Sequence, residues 1–237
     1  MKNKIAIVTG GGRGIGRAIC RRLAFAGAHV VVAARTQPEI DFVAAEIEQS
    51  GGKASAIAVD LATEDSIIEL FRQIRERFGR LDILVNNAGI GLYGPVAEFP
   101  ADAFDKVIAV NLRGTFICCR ESMQMMIPQH SGCIINVSSV VGIKGYPNQA
   151  AYTASKHGVM GLTKSLAVEA QPHGIRVSAV LPGGVDTDMV ANARPDLDRS
   201  VLLQPDDVAD AVMFLLSLSD RAAIDEICIR RRASQPF

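Results

Sequence analysis

The sequence has no excess of charge of either sign: 25 basic and 25 acidic side chains leave a formal net charge of zero. That balance argues against a nucleic acid or an anionic membrane surface as partner, since both call for a basic excess. No apolar stretch approaches the roughly 18 residues of a membrane span. The short run Ile5-Ala6-Ile7-Val8 is too brief for a signal-peptide core, and glycines follow it. Cysteines are few and unpatterned. The five (Cys20, Cys118, Cys119, Cys133 and Cys228) are odd in number and lack CxxC spacing, so neither a disulfide framework nor a zinc site is indicated. Reduced core thiols, a cytoplasmic location and no bound metal are the expectations. Linkers, low-complexity tracts and internal repeats are also missing, so residues 1–237 read as one domain with one sizeable core.

What is present is regular. Apolar runs of strand length recur at Ile5–Thr9, His29–Ala34, Ala54–Val59, Ile83–Asn86, Ile134–Val137 and Arg176–Leu181. Between them lie stretches with helical spacing, such as Ile67, Leu70, Phe71, Ile74 and Phe78. Strands rich in Val and Ile, apolar on both faces and alternating with amphipathic helices, imply a doubly wound α/β fold around a parallel sheet. Right-handed crossovers then place helices on both faces.

The first strand runs into Gly10-Gly11-Gly12-Arg13-Gly14-Ile15-Gly16, and Arg17-Ala18-Ile19-Cys20 reads as a helix start. Glycines allow a tight turn and close approach of a pyrophosphate, while a helix N-terminus offers free N–H groups to its charge. The loop is not a P-loop, because Arg17-Ala18 follows Gly16 where Lys-Ser/Thr would be needed. The strict GxGxxG pattern fails too, with Ile15 at its last glycine. A bare tight turn needs similar glycines, but the position after the first strand of a βαβ unit favours a dinucleotide.

An NAD enzyme commonly carries an acid at the end of the second strand, roughly 20 residues beyond the glycines, to hold the ribose hydroxyls. Here the stretch reads Val32-Ala33-Ala34-Arg35-Thr36. Arg35 could pair with a 2′-phosphate and Arg13 could flank it, which favours NADP(H) over NAD(H). Two solvated surface arginines are the structural alternative.

Tyr152 and Lys156 are four apart in a segment of helical spacing, Asn148 to Gly158, so phenol and ammonium share a face. A free phenol, with a pKa near ~10, is a poor base at neutral pH, and a neighbouring cation is expected to lower that value. Ser139, just past the strand Ile134–Val137, lies where strand ends meet the crevice of an open sheet. Taken alone, a Tyr-x-x-x-Lys pair is more often a surface contact.

Together these residues resemble the short-chain dehydrogenases/reductases, from about residue 4 to about residue 220. Thr9-Gly10-Gly11-Gly12-Arg13-Gly14-Ile15-Gly16 is similar to that family's TGxxxGxG loop, and Asn86-Asn87-Ala88-Gly89 to its NNAG signature. Asn111, Ser139, Tyr152 and Lys156 match its catalytic tetrad, and Pro182-Gly183, Val185 and Thr187 its nicotinamide-covering segment. Asp60, with Leu61 beside it, resembles the adenine contact after the third strand. The resemblance implies a Rossmann-type sheet of about seven strands and a cofactor cradle that includes Gly10, Gly12, Arg13, Gly14, Ile15 and Gly16 with Asn87, Ala88 and Gly89. By the same resemblance Tyr152 exchanges a proton with the substrate oxygen, and Lys156 binds the nicotinamide ribose and depresses the tyrosine pKa. Ser139 orients the carbonyl and Asn111 holds a relay water.

The similarity extends to 3-oxoacyl-(acyl-carrier-protein) reductases. Around the expected site mouth, however, Gln129-His130-Ser131 and Gln171-Pro172-His173-Gly174 offer only histidines to an acidic carrier. The tail from Ile224 to Phe237 lacks the glycine-containing strand and Asp-Gly-Gly-like finish through which many members assemble. A homodimer or homotetramer is still expected. The segment 186–204, with Pro195, Asp196 and Asp198, reads as an irregular polar loop that could close over substrate. The leading expectation is an NADP(H)-dependent reductase acting on a small-molecule or thioester-linked ketone. The alternatives are an alcohol dehydrogenase working oxidatively and a non-catalytic NADP-binding sensor or scaffold.

Overall fold

The structure, a computed structural model, describes residues 1–193 and 198–234. Seven parallel strands form one sheet: β1 (Ile5–Thr9), β2 (His29–Ala34), β3 (Lys53–Ala58), β4 (Ile83–Asn86), β5 (Gly132–Val137), β6 (Ile175–Pro182) and β7 (Glu226–Ile229). Their spatial order is β3-β2-β1-β4-β5-β6-β7. The order reverses between β1 and β4, and at such a point the two outgoing loops part and leave a crevice beyond the carboxyl ends.

Alternation along the strands divides the core. Ala6 and Val8 face one cluster, together with Ile19 and Leu23 of α1 (Gly14–Phe25) and Ile40 and Val43 of α2 (Gln37–Gln49). Ile5 and Ile7 face the other, against Ile67, Leu70, Phe71 and Ile74 of α3 (Glu64–Phe78). That apolar stripe buries as its spacing predicts, with Phe78 only partly covered, and Gly79 at φ +66° ends the helix in the left-handed conformation a side chain would resist. Below the crevice, buried Asp82 ties β1 to β4. Its carboxylate accepts from Lys4 Nζ at 3.0 Å, the Ile5 N–H at 2.9 Å and Arg80 Nη2 at 2.6 Å.

Further along come α4 (Ala101–Ile108), α5 (Thr115–Gln129), α6 (Ala150–Ala170), α7 (Asp188–Ala193) and α8 (Pro205–Ser217). Several boundaries differ from the sequence reading. The third strand begins and ends one residue earlier, and β5 starts at Gly132. The first helix starts inside the glycine loop, at Gly14, so its free N–H groups belong to the loop itself. The tail does form a strand without any glycine. β7 pairs with β6 in the register Ala179↔Glu226 to Pro182↔Ile229, and Ile227 and Ile229 pack on the core while Cys228 is exposed. The expectation of core thiols thus holds for Cys20, Cys118, Cys119 and Cys133 and is corrected for Cys228, which points away from the core on an edge strand. Gln235, Pro236 and Phe237 lie outside the described residues. Among the described residues no helix is long and apolar enough to cross a membrane.

Candidate active site

At the switch point, β1 and β4 are stitched together by one threonine. Thr9, fully buried, accepts on its Oγ1 the N–H groups of Asn87 and Ala88, each at 3.1 Å. In return Asn87 Nδ2 donates to the Thr9 carbonyl at 3.0 Å. The chain then turns at Gly10, at φ +65°, where an added Cβ would lie 2.9 Å from the Ala88 Cα. A side chain at Gly16 would run into the Gly10 carbonyl. Glycine is needed at both positions because backbone occupies the space. Arg17 donates its N–H to the Arg13 carbonyl at 3.2 Å, and the N–H groups of Gly14, Ile15 and Gly16 precede any helical acceptor.

These loops floor a cleft of about 450 Å³ that runs from Arg35 to Tyr152. Of the sequence-predicted site residues, Gly10, Gly12, Arg13, Gly14 and Ile15 line it, as do Arg35, Asp60, Leu61, Asn87, Ala88 and Gly89. Ser139, Tyr152 and Lys156 stand at the other end, with Pro182, Gly183, Val185 and Thr187 over them. Gly16 and Asn111 do not line it; they sit behind, Gly16 as packing under Gly10.

Arg35 is exposed and has no carboxylate partner among the described residues, whereas Arg13 Nη1 lies 3.4 Å from Asp188 of α7. The sequence reading missed Glu39. From the first turn of α2 it reaches over the glycine loop, its Oε2 3.2 Å from where a Gly12 Cβ would be. Its only sequence signal was its place in that turn, where an acid ordinarily serves the helix dipole. Asp60 commits Oδ1 to the Ala62 N–H at 3.0 Å, which fixes the turn after β3.

At the reactive end, Ser139 begins a single helical turn over Val140–Gly142, its Oγ accepting the Val141 N–H at 3.3 Å. α6 starts at Ala150, so Tyr152 and Lys156 lie on successive turns of one helix. Lys156 is almost wholly buried and donates from Nζ to the Val137 carbonyl at 3.0 Å. Burial pulls its pKa down to about 8. Tyr152 is shifted the opposite way from the sequence expectation. Burial raises its pKa well above the ordinary phenol value, nearby Tyr93 adds to this, and only a hydrogen bond with Ser139 opposes it. Lys156 Nζ stands 5.7 Å from the phenol ring centroid, but with its own pKa at about 8 it has lost its charge before such a phenol would ionise. Tyr152 is therefore a neutral phenol at neutral pH, in the form that can give up a proton.

Asn111 sits in a π-helical stretch, Ala109–Gly114, between α4 and α5. π turns recur at functional sites, and no sequence pattern announced this one. Its Oδ1 accepts the Ile90 N–H at 2.8 Å, and its Nδ2 donates to the Ile90 carbonyl at 2.9 Å and to Ser155 Oγ at 3.1 Å. Both amide protons are committed, so one Oδ1 lone pair is what remains for a water. The amide's evident work is to clamp the chain leaving β4.

That chain also brings a second aromatic ring to Tyr152. Tyr93 packs edge-on against Tyr152, ring centroids 5.9 Å apart and planes inclined by 67°. The segment 186–204, expected to be irregular, contains α7 and a helical turn at Arg199–Val201, because Asp188 opens the first and Asp198 caps the second through the Ser200 N–H at 2.9 Å. It closes on itself where Asp186 N donates to the Leu203 carbonyl at 2.7 Å and Leu203 N to that of Gly184 at 3.0 Å. Met189 and Val190 face the cleft. Pro195 and Asp196 lie outside the described residues.

Comparison with known proteins agrees with this geometry. The family model described as short chain dehydrogenase matches residues 4–198. A 3beta-hydroxysteroid dehydrogenase of Mediterraneibacter gnavus is 44% identical over 195 residues, 82% of this chain and 70% of that protein. A 3-oxoacyl-(acyl-carrier-protein) reductase of Synechocystis sp. is 41% identical over 218 residues, 90% of this chain and 88% of its own length. The crystal structure of a metagenomic short-chain oxidoreductase in complex with NADP superposes with a TM-score of 0.87 at 38% identity, covering 98% of this chain and 99% of that one.

Proposed function

This chain belongs to the short chain dehydrogenase family, and on that premise we propose that it reduces a ketone to a secondary alcohol with NADP(H), Tyr152 delivering the proton. One observation carries the reading: a single cleft has Ser139, Tyr152 and Lys156 at one end and two guanidiniums, Arg13 and Arg35, at the other. Its floor fits a dinucleotide. A Cβ at Gly10 would strike Ala88, and the N–H groups of Gly14, Ile15 and Gly16 begin a helix where a pyrophosphate would lie. When bound there, the nicotinamide supplies the hydride. Arg35 and Arg13 would hold the 2′-phosphate, and Glu39 is the feature that would favour NAD(H). Arg13 is shared with Asp188, but Arg35 has no carboxylate partner among the described residues, and this supports NADP(H) over the pull of Glu39 toward NAD(H).

The protein's own residues manage orientation and the proton. Ser139 Oγ, which donates to the Pro182 carbonyl at 3.4 Å, and Tyr152 Oη line the same end of the cleft and would both meet the substrate oxygen, so that the carbonyl is polarised as the phenol gives up its proton. As a phenol, Tyr152 holds its proton at neutral pH, the form that reduction requires. Lys156, held by the Val137 carbonyl, would meet the ribose hydroxyls and carry positive charge below pH about 8. The described residues 186–193 and 198–204 form a lid, anchored at the Asp186–Leu203 neck with Met189 and Val190 on its inner face.

The test is NADPH oxidation at 340 nm with a ketone panel that includes acetoacetyl thioesters and a 3-ketosteroid, since relatives are named for both chemistries. Turnover that Tyr152→Phe reduces by at least a thousandfold while NADPH still binds is the expected result. Undiminished turnover in that variant would remove Tyr152 from the mechanism, and tight NADPH binding without turnover on any ketone would favour the sensor reading.

A further inference from the structure

Beyond adding to the raised pKa of Tyr152, Tyr93 has no part in the chemistry above, yet its surroundings are built for it. Asn111 clamps the backbone of Ile90 on both its N–H and its carbonyl, and Gly94 N donates to the Asn148 carbonyl at 2.9 Å. The loop carrying Tyr93 is thus fastened at both ends, the second time to the segment that leads into α6. Gly91 leaves room for the phenol: a side chain there would collide with the Tyr93 hydroxyl. That hydroxyl has no hydrogen-bond partner among the described residues, and burial keeps it a neutral phenol.

The two rings, inclined by 67° with centroids 5.9 Å apart, form an aromatic corner at Tyr152. The two tied segments add exposed apolar side chains, Leu92 and Val96 from one and Ile143 and Tyr146 from the other. Over residues 90–97 and 140–149 the only charged side chain is Lys144. Such a surface offers dispersion and area, with Lys144 the one charge it could offer a carboxylate or an acidic carrier. A flat ring can lay its area against an aromatic corner with no internal rotation to freeze, whereas a linear chain must lose several rotors for the same contact.

Resting on the ketone-reductase reading above, we propose that Tyr93 is a specificity-determining residue which, with Tyr152, selects uncharged ketones carried on a ring over linear ketones of the same size.

The experiment compares kcat and KM with NADPH for two carbon-matched pairs, cyclohexanone with 2-hexanone and α-tetralone with 2-decanone. Wild-type, Tyr93→Phe and Tyr93→Leu proteins are measured, with calorimetric Kd values for α-tetralone on the NADP⁺-loaded proteins. The wild type should prefer the ring member at least tenfold in kcat/KM. Tyr93→Leu should erase that preference by raising KM and Kd for the ring ketone about tenfold, with kcat and the NADPH KM within threefold, and Tyr93→Phe should retain it. A wild type without ring preference overturns the proposal. So does a Tyr93→Leu variant that keeps the preference or that loses both substrates equally through kcat. If Tyr93→Leu fails to fold, loss of ring preference in Tyr93→Phe, with linear ketones unaffected, equally overturns the ring-wall argument, and retention supports it. Failure of the wild type on every ketone would instead sink the reductase reading, and this inference with it.

Discussion

Replacing Lys156 by methionine should stabilise the protein while destroying its activity. The ammonium is almost wholly buried, and its pKa falls to about 8 from a free value near ~10.4. A gap of roughly 2.5 pH units corresponds to about 3 kcal/mol. The unfolded chain keeps this proton up to about pH 10.4 and the folded chain only to about 8, so within that window the unfolded state binds more protons and stability rises with pH. Below the window the folded protein carries the whole cost; above it, none. Methionine fills the same volume without charge, but leaves the Val137 carbonyl without the donor it has at 3.0 Å, a loss of about 1 kcal/mol. The net gain is about 2 kcal/mol at pH 7, a rise of roughly 4–8 °C in Tm for a chain of this length. By about pH 10 the gain should be gone, leaving the two proteins about equally stable. Denaturant unfolding of both proteins without added cofactor, at intervals from pH 6.5 to 10, measures this directly. The buried cysteines and Tyr152 are common to both proteins and cancel in the difference. A variant less stable at pH 7, or a difference that does not change with pH, would refute the reasoning.

The stitch at Thr9 should be equally measurable. Thr9→Val keeps the shape but leaves the N–H groups of Asn87 and Ala88 without their acceptor, which should cost about 3 kcal/mol and weaken NADPH binding; Thr9→Ser should lose about 1 kcal/mol and bind normally. Equal stability of the two variants in urea melts would show that the hydroxyl does not hold the loops. On the cofactor side, Arg35→Ala should raise the KM for NADPH about tenfold with NADH changed less than threefold, while Glu39→Gln should lower the KM for NADPH severalfold. Steady-state kinetics with both cofactors decide it, and a parallel loss for NADH and NADPH would take Arg35 away from the 2′-phosphate.

How much of this was legible beforehand depends on the range of the interactions involved. The strands, the glycine turn and the helix face shared by Tyr152 and Lys156 follow from local causes: apolar periodicity, a backbone that only glycine permits, and a spacing of four. The doubly wound sheet follows as well, since strands buried on both faces and alternating with helices have few other ways to pack. What the sequence could not determine was contact between segments far apart along the chain. Glu39 acts over Gly12 only because α2 docks beside the glycine loop, and Tyr93 meets Tyr152 only because Asn111 and Asn148 hold its loop in place. The π turn that carries Asn111 and the strand made from Glu226–Ile229 have no strong local pattern and exist because neighbouring elements offer them partners. The phenol's protonation was settled last of all. Sequence placed a cation four residues away, but depth in the fold, which raises the phenol and lowers the ammonium, decided that burial would outweigh it.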